Sequence, residues 1–275
     1  MVICAPNFAL WDFDGTLGHR RHGTWAECVL EVLDRQQPDH HWSFAEVFEA
    51  LSTGFPWHAS DTPHPHLADA DRWWAHVTDV ITKALTSLSM SAEDASTAAH
   101  SVRAAYTDPA AWSLYPQTLT VLDTLIMQGW SHVLLSNHVP ELPAILDALG
   151  LTPRLHAVIN SAATGYEKPH PAAFAHARAL ATDASRTWMI GDNAHADIAG
   201  ANASGLDAIW VRRSRPGDIP DLAEAARIIQ EDKPGRRAER RRPRTLKVAP
   251  LLESSPLPGP DPSAKLSSVR TAEAR

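Results

Sequence analysis

Cysteine is nearly missing from this chain: Cys4 and Cys28 are the two in 275 residues, and no CxxC occurs. That excludes a disulfide framework and points to a reducing, cytoplasmic setting. No stretch approaches the roughly 18 consecutive apolar residues of a membrane span. The opening MVICAPNFALWDFDG has no basic region ahead of its apolar residues, so no secretory leader is expected. Positive charge is scarce over residues 1–211, with 10 Lys and Arg against 23 Asp and Glu, while 212–275 reverse the balance with 15 against 9. An acidic body repels phosphate backbones, which weighs against general nucleic-acid binding. It does not prevent a local electropositive pocket from holding one small phosphate.

What is present is a change of rhythm. Residues 8–12 form a short apolar run ending in acid and read as a buried strand. Helical spacing follows at 24–34, 43–51, 70–90 and 92–106, with Ser43 and Glu46 placed as a capping box and an irregular Gly-, Pro- and His-rich stretch at 52–67. Residues 18–110 are therefore expected to be all-helical. From residue 115, helices at 118–128, 140–149, 171–181 and 195–203 alternate with strands at 131–136, 156–160, 187–191 and 207–211. That alternation predicts βαβ units and a parallel sheet. The expected class is α/β: a three-layer core from residues 1–17 and 111–230, a helical insert at 18–110, and a disordered tail at 231–275. In the tail, residues 233–244 hold seven basic groups and 243–262 hold six prolines, a composition that cannot offset its own ordering entropy.

Open parallel sheets bind ligands beyond the carboxyl ends of their strands. The polar residues expected there are Asp12, Asp14, Ser136, Asn137, Lys168, Asp192 and Asp197. Asp12 and Asp14 are two apart at a strand end, so their side chains can point the same way. Gly15 permits a sharp turn exposing backbone amides to an oxyanion. Carboxylates within about 4 Å repel by several kcal/mol at an effective dielectric near 20. A hard divalent cation with oxygen ligands offsets that, and Mg²⁺ is the usual choice where phosphate binds.

The segments DFDGT at 12–16, SN at 136–137, Lys168 in GYEKP, and GDNAHAD at 191–197 resemble, in order and position, the four motifs of the haloacid dehalogenase superfamily. The insert resembles that family's helical C1 cap on a Rossmann-like core. The resemblance implies a phosphatase for a small phosphorylated metabolite, working through an aspartyl-phosphate. It makes Asp12 the nucleophile and Asp14 the general acid and then base. Ser136, Asn137, Gly15 and Thr16 would bind substrate or phosphate, and Lys168 would supply fixed positive charge. Mg²⁺ would be held by Asp12, Asp14 (through its carbonyl), Asp192 and Asp197. Dehalogenases of the superfamily lack an acid/base carboxylate at the second aspartate, so Asp14 favours phosphoryl transfer. Lys83, the one lysine of the insert, has no Schiff-base context.

Other features carry weaker readings. Neither His64 with His66 nor His40 with His41 has zinc spacing. His195 reads as a surface residue, and Asp197 could simply cap the helix near it. Asn193 replaces a small hydroxyl residue common at that place. Trp25, Trp42, Trp57, Trp73 and Trp74 read as helix packing or as part of a substrate lid. His19, Arg20, Arg21 and His22 could meet an anionic substrate or solvent. The arginine run lacks the aromatic residues that stack bases. Two rivals stand beside the phosphatase: a phosphotransferase or sugar phosphomutase, and a binding protein using its basic tail.

Overall fold

The computed structural model of the chain describes residues 7–181, 184, 186–211 and 221–231. Its first strand, β1 (Asn7–Trp11), sits at the centre of the sheet and alternates as a pleated strand must. Phe8 and Leu10 pack on one face with Val133, Leu135, Met189 and Phe174, while Ala9 and Trp11 pack on the other with Leu134 and Ile190. Burying each such large side chain contributes roughly 1.5–3 kcal/mol. Trp11 donates its indole N–H to His132 Nδ1 (3.0 Å), and His132 Nε2 donates to the Leu122 carbonyl (3.0 Å), which fixes the imidazole tautomer inside the core.

After β1 the chain makes β2 (Gly18–Arg20) and then the helical insert: α1 (Trp25–Gln36), α2 (Phe44–Ala50), α3 (Ala70–Ser87) and α4 (Ala92–Thr107). Their starts follow the local chemistry. Thr24 and Glu27 make a capping box on α1, Ser43 and Glu46 make the expected one on α2, and Asp69 and Ser91 accept from the first turns of α3 and α4. The buried face of α3 carries Trp73, Trp74, Val77, Ile81 and Leu85 at helical spacing. The stretch 52–67 holds two short 3₁₀ turns. β3 (Trp112–Leu114) ends the insert and pairs antiparallel with β2.

The core resumes with α5 (Thr118–Met127), β4 (Trp130–Ser136), α6 (Leu142–Ala148), β5 (Leu155–Asn160), α7 (Ser161–Thr164), α8 (Pro171–Leu180), β6 (Arg186–Gly191), a π-helical turn (Ala194–Ala199), α9 (Gly200–Ala203), β7 (Asp207–Trp210) and α10 (Leu222–Glu231). The sheet order is β5-β4-β1-β6-β7, with every pair parallel. β1 is thus flanked on both sides, and the crevice beyond its end is the switch point of the fold.

Three expectations need adjustment. Residues 18–20 are strand, not helix, because Gly18–Arg20 finds a partner about ninety residues later that no local pattern reveals. The helix expected at 195–203 begins as a π-turn and becomes α-helical only at Gly200. The short α7 and the amphipathic α10 were not anticipated. The basic, proline-rich stretch lies, from residue 232, outside the described residues.

Candidate active site

β1 ends at Trp11, and the Asp12 amide still bonds the Ile190 carbonyl (3.0 Å), so Asp12 is held in register with the sheet. The chain then folds back sharply. The Phe13 carbonyl accepts from the amides of Thr16, Leu17 and Gly18 at 2.9–3.1 Å, and Gly15 sits at φ +81°. A Cβ on Gly15 would collide with the Asp192 carboxylate, and one on Gly191 with the Asp197 carboxylate. Glycine at these two positions lets carboxylates approach the backbone.

Ser136 closes β4, and its hydroxyl donates to Asp12 Oδ1 (2.8 Å). Lys168 Nζ reaches the same oxygen (2.8 Å) and also Asp197 Oδ1 (2.6 Å). Both Asp12 contacts use Oδ1; Oδ2 accepts no hydrogen bond from the described residues. Asp197 is fully buried within the π-turn, where its Oδ2 accepts from the Asn193 amide (3.0 Å). Asn193, not Asp197, caps that turn: its Oδ1 accepts from the amides of His195 and Ala196. This frees Asp197 for Lys168, an outcome that the identity of residue 193 alone does not reveal.

Asn137 is tied to the lysine loop in both directions. Its Oδ1 accepts from the Lys168 amide (2.7 Å) and its Nδ2 donates to the Lys168 carbonyl (2.9 Å). Its side chain therefore positions Lys168. Thr16 donates to Asp192 Oδ1 (3.1 Å), so Thr16 orients that carboxylate. Gly15 and Thr16 do not themselves line the cleft, whereas Asp12, Asp14, Ser136, Asn137, Lys168, Asp192 and Asp197 all do.

The crowding and burial raise the pKa values of the acids. Burial, then the charges of Asp12 and Asp192, pushes Asp14 up to about 7. Burial and then Asp12 push Asp192 up to about 6, against the pull of Thr16 and Lys168. Burial raises Asp197 while Lys168 opposes it. Lys168 is held as an ammonium: burial opposes its charge, but Asp12 and Asp197 outweigh that and raise its pKa.

Oxygens of Asp12, Asp192 and Asp197 lie within 4.8 Å of one another, the one such grouping among the described residues. An all-carboxylate donor set gathered around a single ammonium fits a hard divalent cation. The side chain of Asp14 is outside this trio. Neither histidine pair belongs to a metal-type grouping among the described residues; His40 bonds Asp34, and His64 bonds backbone carbonyls. Lys83 is exposed and paired with Asp79 (2.6 Å). Arg20 is buried with its guanidinium forked onto Glu31 (3.2 and 2.5 Å), and Arg21 bonds the Trp112 carbonyl. Neither arginine lines the cleft, and neither do His19 and His22.

Sequence reasoning passed over part of the cleft: Tyr106 at the end of α4, Thr24, Ser60 and His138. His195 does line it, though exposed. The one available signal for His138 was its position immediately after the Ser136–Asn137 pair.

The chain resembles known proteins in sequence and in fold. It is 37% identical over 116 residues to ribulose-1,5-bisphosphate 5-phosphatase of Halopiger xanaduensis, covering 42% of this chain and 48% of that protein. It is 31% identical over 119 residues to phosphoserine phosphatase of Thermus thermophilus, again 42% and 48%. The chain thus spans about half the length of these curated relatives. In fold it is similar to the magnesium-bound HAD-hydrolase YfnB of Bacillus subtilis, with TM-score 0.63 at 20% identity over 82% of this chain and 99% of that one. It is also similar to L-2-haloacid dehalogenase of Xanthobacter autotrophicus, with TM-score 0.57 at 18% identity over 83% and 100%. The family model of haloacid dehalogenase-like hydrolases matches residues 7–205, and this chain belongs to that family as a hydrolase with a helical cap inserted after its first strand.

Proposed function

We propose that the protein is a phosphatase acting on a small phosphomonoester with Mg²⁺ bound at Asp12, Asp192 and Asp197 and at the Asp14 carbonyl. The observation that carries this reading is the setting of Asp12. One of its oxygens is fixed by Ser136 and Lys168, the other is free, and an acid poised near neutrality stands two residues away.

The free oxygen of Asp12 attacks phosphorus while the bond to the ester oxygen breaks. Asp14, protonated, gives its proton to the departing alkoxide. Asp14, now ionised, takes a proton from water as that water attacks the aspartyl-phosphate, which returns Asp12 and releases phosphate. Lys168 and the Ser136 hydroxyl offer positive charge and a donor beside the transferring group, preorganised by Asp197 and Asn137. A bound Mg²⁺ would neutralise the crowded carboxylates and the phosphoryl oxygens. Carbon–halogen cleavage needs no acid at Asp14, so the likeness to dehalogenases is taken as one of fold. The β2–β3 ribbon joins the two ends of the insert, which supports residues 18–110 as a cap over a catalytic unit of 1–17 and 111–230. The scarcity of cysteine supports a cytoplasmic setting, and among the described residues no helix is long and apolar enough to cross a membrane.

The test is phosphate release from p-nitrophenyl phosphate with Mg²⁺. Asp12→Asn, folded by circular dichroism, loses at least about 10³-fold in turnover. A chelator abolishes the wild-type rate and Mg²⁺ restores it. Turnover retained by the Asn variant removes Asp12 as nucleophile.

A further inference from the structure

The cleft has two sides of different chemistry. Beside the phosphoryl position are the acids and Lys168. The rest of the lining is of another kind: the cap supplies Trp25, Trp57, Tyr106, Thr24 and Ser60, and the core supplies His138. Trp25 stacks on Tyr106 (4.0 Å, 15° between rings) and lies 5.7 Å from Trp57, so these rings already pack on one another and leave no slot for intercalation. What they offer is an apolar wall, with two hydroxyls beside it.

His138 stands out within that wall. It is 4% exposed, packs against Phe13, Trp112 and Tyr106, and neither ring nitrogen has a hydrogen-bond partner. A neutral imidazole carries one N–H donor and one bare nitrogen. An alcohol hydroxyl can serve either, because it both donates and accepts. A carboxylate or a phosphate dianion can serve only the N–H. Buried nitrogens without partners in a cleft therefore suit a hydroxylated guest.

The charges point the same way. Among the described residues, Lys168 is the one lysine or arginine lining the cleft, and it is already shared by Asp12 and Asp197. The four basic residues next to the cap entrance, His19 to His22, are all outside the lining. Among the described residues, a second anionic group on the substrate would face four aspartates with no arginine or lysine of its own. We propose that the leaving-group side of this cleft takes an uncharged polyol, whose hydroxyl is read by His138 and whose C–H face lies on the Trp25–Trp57 wall. This deepens the phosphatase reading and rests on it. It separates this enzyme's substrate from bisphosphates, phospho-acids and phospho-amino acids.

The experiment uses the full chain with Mg²⁺ and three probes: glycerol 3-phosphate, 3-phosphoglycerate and p-nitrophenyl phosphate. The first two differ in a terminal hydroxymethyl against a carboxylate. Glycerol 3-phosphate is expected to exceed 3-phosphoglycerate in kcat/KM by at least about tenfold, because like-charge juxtaposition is strongly disfavoured. Ser60→Lys, at a half-exposed position, brings a cation to the same side and narrows that ratio at least about threefold. His138→Phe raises KM for glycerol 3-phosphate more than for p-nitrophenyl phosphate, and His138→Gln recovers part of the loss. Turnover of p-nitrophenyl phosphate with equal or greater use of 3-phosphoglycerate overturns this inference alone. A ratio unmoved by Ser60→Lys overturns it too, whether or not the His138 variants fold. Release of phosphate from none of the three removes the phosphatase reading and this inference with it.

Discussion

On the core side of the cleft, four aspartates and one lysine share a small volume, and burial raises two of the acids to about 6 and about 7. On the cap side, Trp25 stacks with Tyr106, and Phe55 stacks with Trp57 at 4.5 Å. The cap gains stability from every such contact, whereas the core edge holds groups that would each be better solvated apart. The difference shows where the fold carries strain for chemistry. Strand ends with fixed register can hold like charges together because the sheet behind them is already stable. Cap helices have no such anchoring and gather no like charges at the cleft.

The largest way to break this contrast is to remove the cation from the core side. Lys168→Met leaves Asp12 and Asp197 without their shared ammonium in a buried setting. A stability loss of roughly 3–5 kcal/mol is expected, as for other buried ion pairs deprived of one partner. Adding Asp197→Asn should recover part of it, since that removes the fully buried carboxylate. Urea unfolding of the single and double variants checks both statements. If the double variant is no more stable than Lys168→Met, the lysine does not serve to compensate Asp197.

A second test sharpens the same contrast with pH. Glu167, next to Lys168, is 2% exposed, its Oε2 has no partner, and burial pushes it up to about 7 against a hydrogen bond from Ser161. The folded state thus holds this proton more tightly than the unfolded chain, where the group titrates near 4.5. Its contribution is fully present below about 4.5 and is lost as pH rises through about 7. Glu167→Gln keeps a neutral amide throughout, so its stability relative to wild type should improve by about 2–3 kcal/mol between pH 4.5 and pH 8. Denaturant midpoints at both pH values read the difference. An unchanged difference means that Glu167 is not a buried neutral acid at low pH.

The two sides also differ in how legible they are in the sequence. Asp12, Asp14 and Asp192 stand just beyond strand ends, with Gly15 and Gly191 among them, while Lys168 and Asp197 lie in the loop and turn that follow later strands, and alternation of strands and helices brings such segments to one edge. Their convergence can be argued from pattern alone. Asn137 is different. Its place beside the cleft follows from the end of β4, but its commitment to the Lys168 backbone depends on a loop thirty residues away. The cap residues are harder still. Trp25 opens an amphipathic helix and Trp57 sits in the irregular stretch 52–67, and both rings pack against other aromatic residues of the cap. Tyr106 and His138 reach the cleft only because α4 and the loop after β4 meet, which no local periodicity encodes. The β2–β3 ribbon fails for the same reason: three residues find partners across the whole insert.

The smallest expected effect concerns the joint between the two sides. Glu141, in the core loop before α6, accepts the Trp74 indole N–H at 2.9 Å and the Arg103 guanidinium at 2.8 Å, and Arg103 lies over the Trp74 ring. One core carboxylate therefore gathers a residue from α3 and another from α4. The site is partly solvated, so Glu141→Gln should cost only about 1 kcal/mol, the usual worth of a charge-assisted hydrogen bond weakened near solvent. The Gln side chain can still accept from Trp74 but no longer neutralises Arg103. If this contact helps seat the cap, KM for p-nitrophenyl phosphate rises a few-fold while kcat, which the proposed mechanism assigns to Asp12 and Asp14 on the core side, changes less. High salt should mimic the substitution in wild type and have little further effect on the variant. An equal fall in kcat and rise in KM would instead tie Glu141 to the chemistry, and the division between a core side that reacts and a cap side that selects would then no longer hold at this joint.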